Sequence, residues 1–390
     1  MSIYVDISAA VHRRAGLGRY AESLVNALAP LLGDRLALFY NREHGVEPLV
    51  GLDSLTAATV SLGYKPWRMA IGLGQMMHAP FNRYLPAAEL YHATEHLLMP
   101  LRGVPTVLTV HDLIFRQTPE HHKQLNRWYL SWTMPLFCRR ADHIIAVSET
   151  TRRDLMSAYQ LPPEKISVIY EAADPRFSVQ PPDIQAQARA AYGLPEKYLL
   201  YLGTLEPRKN LERLLAAWAP LYQSGDCPPL VIAGKRGWLS EGFFSALEAS
   251  PAREGVLLTG YIPDEDLPAL YAAATAFVWP SLYEGFGLPP LEAMACGSPV
   301  ICSNASSMPE VVADAALLFD PENVDELREC LRTVVRDDAL RGDMRERGLA
   351  RAATFSWSRT AHETLRVYKG LLQSGSKGLD ERSSTNSRDS

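Results

Sequence analysis

Short apolar runs recur along nearly the whole chain, each followed by a polar or glycine-marked turn and then by a stretch with helical spacing. That alternation predicts βα units feeding a mostly parallel sheet. In the first half, Ile3–Ile7, Leu36–Tyr40, Leu90–His92, Thr106–Val110, His143–Val147 and Ser167–Tyr170 read as strands. In the second half the same pattern marks Tyr198–Leu202, Leu230–Ala233, Val256–Thr259, Ala276–Trp279, Pro299–Cys302 and Ala316–Phe319. Between the halves, Asp174 to Pro195 holds Pro175, Pro181, Pro182 and Pro195, a density that breaks regular structure. The chain is therefore expected to form a first domain over 1–177, a linker over 178–195 and a second domain over 196–356. Residues 373–390 are rich in Ser, Gly, Arg and Asp and nearly devoid of apolar side chains, so a disordered tail is expected there.

A length of 390 residues agrees with two cores, since one core rarely grows past about 250–300 residues. The charge is −5, and the cations are scattered instead of gathered in one tract, which argues against nucleic acid as a partner. The five cysteines form no C-x-x-C pair, and Met1–Asp6 reads as a strand instead of a signal peptide, so a cytoplasmic protein is expected. No apolar run reaches the length of a membrane-spanning helix. Peripheral contact at the inner face of a membrane remains open through Tyr64 to Tyr84, where Trp67, Met69, Ile71, Leu73, Met76 and Met77 mix with Lys65, Arg68 and Arg83. A partly buried surface helix is the alternative there.

The chemistry concentrates after two of the expected strands. Pro280 to Gly297 follows one strand and opens a helix; Gly285 and Gly287 bare the backbone to a ligand, and Pro289 and Pro290 suit a first helical turn. Amides at such a helix start attract a diphosphate. Glu284 and Glu292 are placed to accept hydrogen bonds from hydroxyls at two parts of one ligand, as in a sugar joined to a ribose. The plainer alternative is a tight turn with a solvated Glu284 and a Glu292 that offsets the helix dipole. Paired carboxylates also suit glycoside hydrolysis, whose defining separation sequence spacing does not supply. Gly203 to Asn210 ends another strand, and there Arg208 offers a planar fork and Lys209 a point charge for a pyrophosphate. In an open α/β sheet both loops fall on the ligand-binding edge.

In the first half, Gly16-Leu17-Gly18 follows the opening strand, but the full dinucleotide fingerprint is missing, which removes support from a dehydrogenase. His111-Asp112 ends Thr106–Val110 and places an imidazole at the same kind of edge, either to contact a sugar or alcohol or to cap a turn. His92-Ala93-Thr94-Glu95-His96 matches H-x-x-E-H, which on a helix would present zinc ligands, although Pro100 leaves little helix. Asp264-Glu265-Asp266 is better read as a helix start than as a metal motif.

Taken together, Gly16-Leu17-Gly18, Val110-His111-Asp112, Ala146-Val147-Ser148-Glu149, Glu206-Pro207-Arg208-Lys209-Asn210, Gly260-Tyr261 and Pro280 to Gly297 resemble the retaining nucleotide-sugar glycosyltransferases of family 4. The resemblance implies an α/β protein with the GT-B fold: two Rossmann-like domains facing across a cleft, with a C-terminal helix, 357–372, crossing back to the first. It implies that Glu284, Gly285, Phe286, Gly287 and Leu288 hold the donor sugar and that Glu292 binds the ribose. Arg208 and Lys209 would stabilise the diphosphate, the loop at Gly16 and Gly18 would close over it, and His111 would sit near the reacting carbon. Catalysis would fall to His111, Glu284, Lys209 and Arg208, with no metal and no cofactor. Thr204 departs from the arginine that many relatives carry, and Arg208 is expected to supply that charge. The form of Gly203 to Asn210 resembles bacterial mannosyltransferases of surface-polysaccharide assembly. This implies mannose transfer from GDP-mannose to a hydroxyl of a glycan or lipid-linked acceptor; UDP-glucose or another UDP-hexose is the alternative donor. A zinc hydrolase using His92 and His96, and a non-catalytic sugar-nucleotide binding protein, are the readings from other classes.

Overall fold

In a computed structural model, residues 2–42, 49, 51–52, 55–121 and 123–386 are described, and they form two units, each built on a parallel sheet. The first unit comprises 1–113, 128–171 and 357–390; the second comprises 114–127 and 172–356.

The first sheet contains β1 (Ser2–Asp6), β2 (Leu36–Asn41), β3 (Thr56–Val60), β4 (Ala88–Ala93), β5 (Thr106–Val110), β6 (His143–Ala146) and β7 (Ile166–Val168), in the order β3-β2-β1-β4-β5-β6-β7. The second contains β8 (Leu199–Leu202), β9 (Leu230–Ala233), β10 (Val256–Gly260), β11 (Ala276–Trp279), β12 (Val300–Ser303) and β13 (Ala316–Phe319), in the order β10-β9-β8-β11-β12-β13. Register is fixed at the centre of each sheet: Val5 pairs with Leu38 and His92, and Phe277 with Leu200 and Val300. Each sheet grows one way from its first strand and then switches to the other side, so β1 with β4 and β8 with β11 flank a point where the loops diverge and leave room for a ligand.

Strands buried on both faces need apolar side chains on both, which is why they read as unbroken runs in the sequence. β3 escaped that reading because Thr56, Ala57 and Thr59 lie exposed at the sheet edge, and only Val60 is buried. In the second unit, the helix Leu211–Gln223 turns Leu211, Leu214, Leu215, Trp218 and Leu221 inward. The strand ends there approach closely: at Gly234, φ is +136°, and a Cβ would lie 2.0 Å from the Gly203 carbonyl oxygen, so only glycine fits.

Three expectations change. The expected linker 178–195 contains the helix Pro182–Ala191, because Pro181 occupies its N-cap and Pro182 its first position, where proline starts a helix instead of breaking one. The second unit already begins at Ala172, and Phe177 packs edge-on against Tyr271 within it at 5.9 Å. The tail expected to be disordered from 373 continues as helix to Asn386, and its last four residues lie outside the described ones. Within the first unit, that C-terminal helix is anchored by Thr360 Oγ1, which donates to the Tyr170 carbonyl at 2.7 Å, and by Trp357 against Tyr20 at 5.8 Å. Residues 114–127 belong to the second unit, where Trp238 Nε1 donates to the His121 carbonyl at 2.8 Å.

Candidate active site

In the second unit the loops leaving β8 and β11 are neighbours because their strands are. After β8 the chain makes one tight turn, Pro207–Lys209, then passes through Asn210 at φ +61° into the helix Leu211–Gln223. Asn210 tolerates that left-handed geometry, and its Nδ2 donates to the Pro280 carbonyl at 3.0 Å and the Pro321 carbonyl at 2.8 Å. The Leu282 amide donates to the Arg208 carbonyl at 2.9 Å. These bonds lace the two loops together and fix what their side chains face.

Lys209 Nζ lies 2.6 Å from Glu284 Oε1, and Arg208 Nη1 lies 2.8 Å from the same oxygen. Arg208 also donates to the Tyr283 carbonyl and pairs with Glu206 Oε1, each at 2.5 Å. Burial alone would push the Glu284 carboxyl up, yet the adjacent Arg208 and Lys209 charges hold it down at about 2. Burial and the neighbouring Arg208 together lower the Lys209 ammonium. Its Nζ sits 4.2 Å over the Trp279 ring, a cation–π contact that favours the charged form. Glu206 Oε2 is buried without a hydrogen-bond partner. Glu206 was not singled out from the sequence as more than part of a motif; the signal was its place two residues before the arginine it holds.

Gly287 has φ +117°, and a Cβ there would come 2.3 Å from the Met308 methyl carbon. It caps the helix Leu288–Ala295. Pro289 and Pro290 fill the second and third helical positions and carry no N–H, so the peptide donors of this helix start are confined to Leu288 and the turn before it. Gly285 and Phe286 form that turn, which is held from outside by Ser307 Oγ donating to the Phe286 carbonyl at 2.7 Å and by Ser306 Oγ accepting from the Glu284 amide at 2.8 Å. Glu292, one turn into the helix, is buried, and its Oε2 accepts from Tyr271 Oη at 3.1 Å. The structure thus joins Arg208, Lys209 and Glu284 in one cluster and places Glu292 behind the helix start.

The first unit carries a second polar group one strand beyond its own switch point. His111 follows β5, with Nδ1 2.9 Å from Glu171 Oε1 and Nε2 2.9 Å from the Thr94 carbonyl. Two acceptors require both ring nitrogens to donate, which only the imidazolium does. Burial opposes that charge, but the Glu171 hydrogen bond and charge raise the pKa above its ordinary value. Glu171 is 60 residues away in sequence and was invisible to local patterning.

Gly16 and Gly18 do not form a loop. They lie in the first turns of the helix Ala15–Leu32, where a Cβ at Gly18 would come within 3.0 Å of the Ala9 carbonyl oxygen, so this glycine serves close packing.

The H-x-x-E-H run does not form a zinc helix either. His92 is inside β4, with Nδ1 2.6 Å from Tyr368 Oη and Nε2 2.7 Å from Thr109 Oγ1, and burial lowers its pKa to about 3. Among the described residues no group of three His, Cys, Asp or Glu is placed to hold a metal ion. Glu95 instead pairs with Arg14 at 2.7 Å through Oε2, while Oε1 is buried without a partner, and burial raises this carboxyl to about 7 against the lowering charge of Arg14. Arg68 Nε and Nη2 are likewise buried without a hydrogen-bond partner, with the guanidinium 4.0 Å over the Tyr129 ring and 5.2 Å from the Tyr64 ring.

Comparison with known proteins agrees with this layout. The family described as Glycosyltransferase Family 4 matches residues 14–177, and that described as Glycosyl transferases group 1 matches 184–351. The O-antigen chain mannosyltransferase B of Escherichia coli is 38% identical over 284 residues, covering 72% of this chain and 74% of that one. Among solved structures, the sucrose-phosphate synthase of Thermosynechococcus elongatus superposes with a TM-score of 0.78 at 21% identity, covering 96% of this chain and 100% of that one. HepE of Anabaena, in complex with UDP and glucose, gives 0.72 at 20% identity, covering 95% and 100%.

Proposed function

Because the chain belongs to the family 4 glycosyltransferases and has the GT-B fold, we propose that it transfers mannose from GDP-mannose to a hydroxyl of a glycan or lipid-linked acceptor in surface-polysaccharide assembly. The observation that carries this reading is the convergence of Arg208, Lys209 and Glu284 at the β8/β11 switch point. A diphosphate bound there meets two cations, and a sugar bound beside it meets a carboxylate that stays ionised at neutral pH. The mannosyl donor is favoured by the 38% identity to an O-antigen mannosyltransferase. The five cysteines, all free thiols, support a reducing compartment.

The reaction proposed retains the anomeric configuration and needs neither metal nor cofactor. As the bond from the sugar C1 to the diphosphate oxygen breaks, a diphosphate oxygen takes the acceptor's hydroxyl proton, and the acceptor oxygen bonds to C1 on that same face. Arg208 and Lys209 hold the charge that builds on the leaving group. Glu292, steadied by Tyr271, accepts the ribose hydroxyls. Replacing Tyr271 with Phe leaves this buried carboxylate one donor short and is expected to raise the donor KM about tenfold, with kcat at saturating donor unchanged.

The donor is tested by a thermal-shift panel of GDP, GDP-mannose, UDP and UDP-glucose at equal concentration. A ligand that binds only the folded state raises the melting temperature by mass action. GDP and GDP-mannose are expected to give the larger shifts. A larger shift with UDP and UDP-glucose replaces mannose transfer with the UDP-hexose reading, and no shift with any of the four removes the nucleotide-sugar assignment at this site.

A further inference from the structure

The helix Tyr64–Met77 lies beside residues 128–140 of the helix Gln124–Arg140 in the first unit. Tyr129 Oη donates to the Arg68 carbonyl at 2.9 Å, Arg140 Nη1 donates to Gln75 Oε1 at 2.8 Å, and the Cβ position of Gly72 faces Tyr129 and Thr133 at 3.7 and 3.8 Å. One flank of each helix is thereby used against the other. A second flank of each is buried: Trp67, Ile71 and Gly74 on one, and Leu130, Met134 and Phe137 on the other.

The remaining flanks turn outward side by side, since about 100° of rotation per residue separates each from the shared seam. They present Met69, Leu73, Met76 and Met77 from the first helix and Trp128 and Trp132 from the second. Met77 is 73% exposed, Trp128 68% and Trp132 61%, and the two indoles stack at 6.0 Å. Large apolar side chains gathered in one exposed patch mark an interaction surface. Lys65 and Arg139, on the same helices, are exposed beside it. Residues 61–88 and 128–141 contain no carboxylate, in a chain whose net charge is −5.

We infer that this face docks on a lipid bilayer carrying anionic headgroups. Indoles favour the depth where headgroups meet acyl chains, methionines adapt to an irregular apolar medium, and lysines and arginines at the rim meet the negative surface potential. A second copy of this chain fits less well, because a two-fold contact sets the same cationic rim against itself. Among the described residues no helix is long and apolar enough to cross a membrane, so the contact lies at the surface. The inference goes beyond the transfer reaction, and binding is read without turnover, so its failure and that of the donor assignment are separable.

The test is flotation of the full chain with vesicles of phosphatidylcholine alone and of phosphatidylcholine mixed with phosphatidylglycerol, at low and physiological salt. Binding to the anionic vesicles is expected to be about tenfold tighter or more, to weaken with salt, and to shift the tryptophan emission to the blue. The pair Trp128→Ser and Trp132→Ser is expected to lose about tenfold in affinity or more. Lys65→Glu with Arg139→Glu is expected to lose the preference for anionic lipid while the melting temperature stays unaltered. That charge variant keeps the test decisive if the tryptophan variant fails to fold. Equal binding by both variants, or no binding by the wild type to either vesicle, overturns the inference. So does a wild-type dimer that the tryptophan pair converts to monomer in the absence of lipid binding.

Discussion

Lys209→Ala is expected to lower kcat for sugar transfer by about 10²–10³-fold with donor saturating, while donor KM changes far less. The size follows from where the charge sits. Lys209 is buried between Glu284 and the Trp279 ring, so its ammonium acts through a medium of low polarity on the charge that grows as the diphosphate departs. Arg208 stays in place and keeps Glu284 paired at 2.8 Å, so the variant folds and the loss reads on chemistry instead of stability. Lys209→Arg is not a rescue: a planar fork does not fit the point-charge position over the Trp279 ring. Because burial and Arg208 lower the lysine's pKa, the wild-type rate falls on the alkaline side before an ordinary lysine would titrate. Turnover at the wild-type level in Lys209→Ala removes the leaving-group role outright.

How far such a cluster is legible in sequence depends on how local its causes are. Arg208, Lys209 and Glu284 stand at the ends of buried strands, and buried parallel strands announce themselves as apolar runs followed by a turn; the switch-point rule then puts their loops together. The linker helix Pro182–Ala191 failed to show because the proline pair that suggested a break is its first turn. Gly16 and Gly18 suggested a phosphate loop, yet at Gly18 glycine serves to pack a helix start against Ala9, and composition does not separate the two uses. His92, Glu95 and His96 matched a zinc motif that needs a helix to hold it; β4 runs through Ala93 instead, and His92 bonds to Tyr368 and Thr109. Glu171, which makes His111 a cation, and Tyr271, which holds Glu292, arrive from distant segments through packing, and no spacing rule reaches them.

Glu284→Ala is expected to cost about 3–5 kcal/mol of stability at neutral pH, because it leaves Lys209 buried without the carboxylate that pairs with it. Arg208 retains Glu206 at 2.5 Å, so the lysine bears most of the penalty, and Glu284→Gln is expected to cost less by keeping an acceptor in place. The same pair predicts the acid limb of the wild type. With the carboxyl held at about 2 in the folded chain against an ordinary 4.5, the unfolded chain binds the proton first as pH falls. The stabilisation is therefore complete above about 4.5 and drains away as pH drops toward 2, amounting in total to roughly 3 kcal/mol. Urea unfolding of wild type and Glu284→Ala across that range is expected to show their difference shrinking steadily with acidity. A difference that stays constant from neutrality to pH 2 means that Glu284 is not held as an anion by Arg208 and Lys209, and the electrostatic basis of the proposed site goes with it.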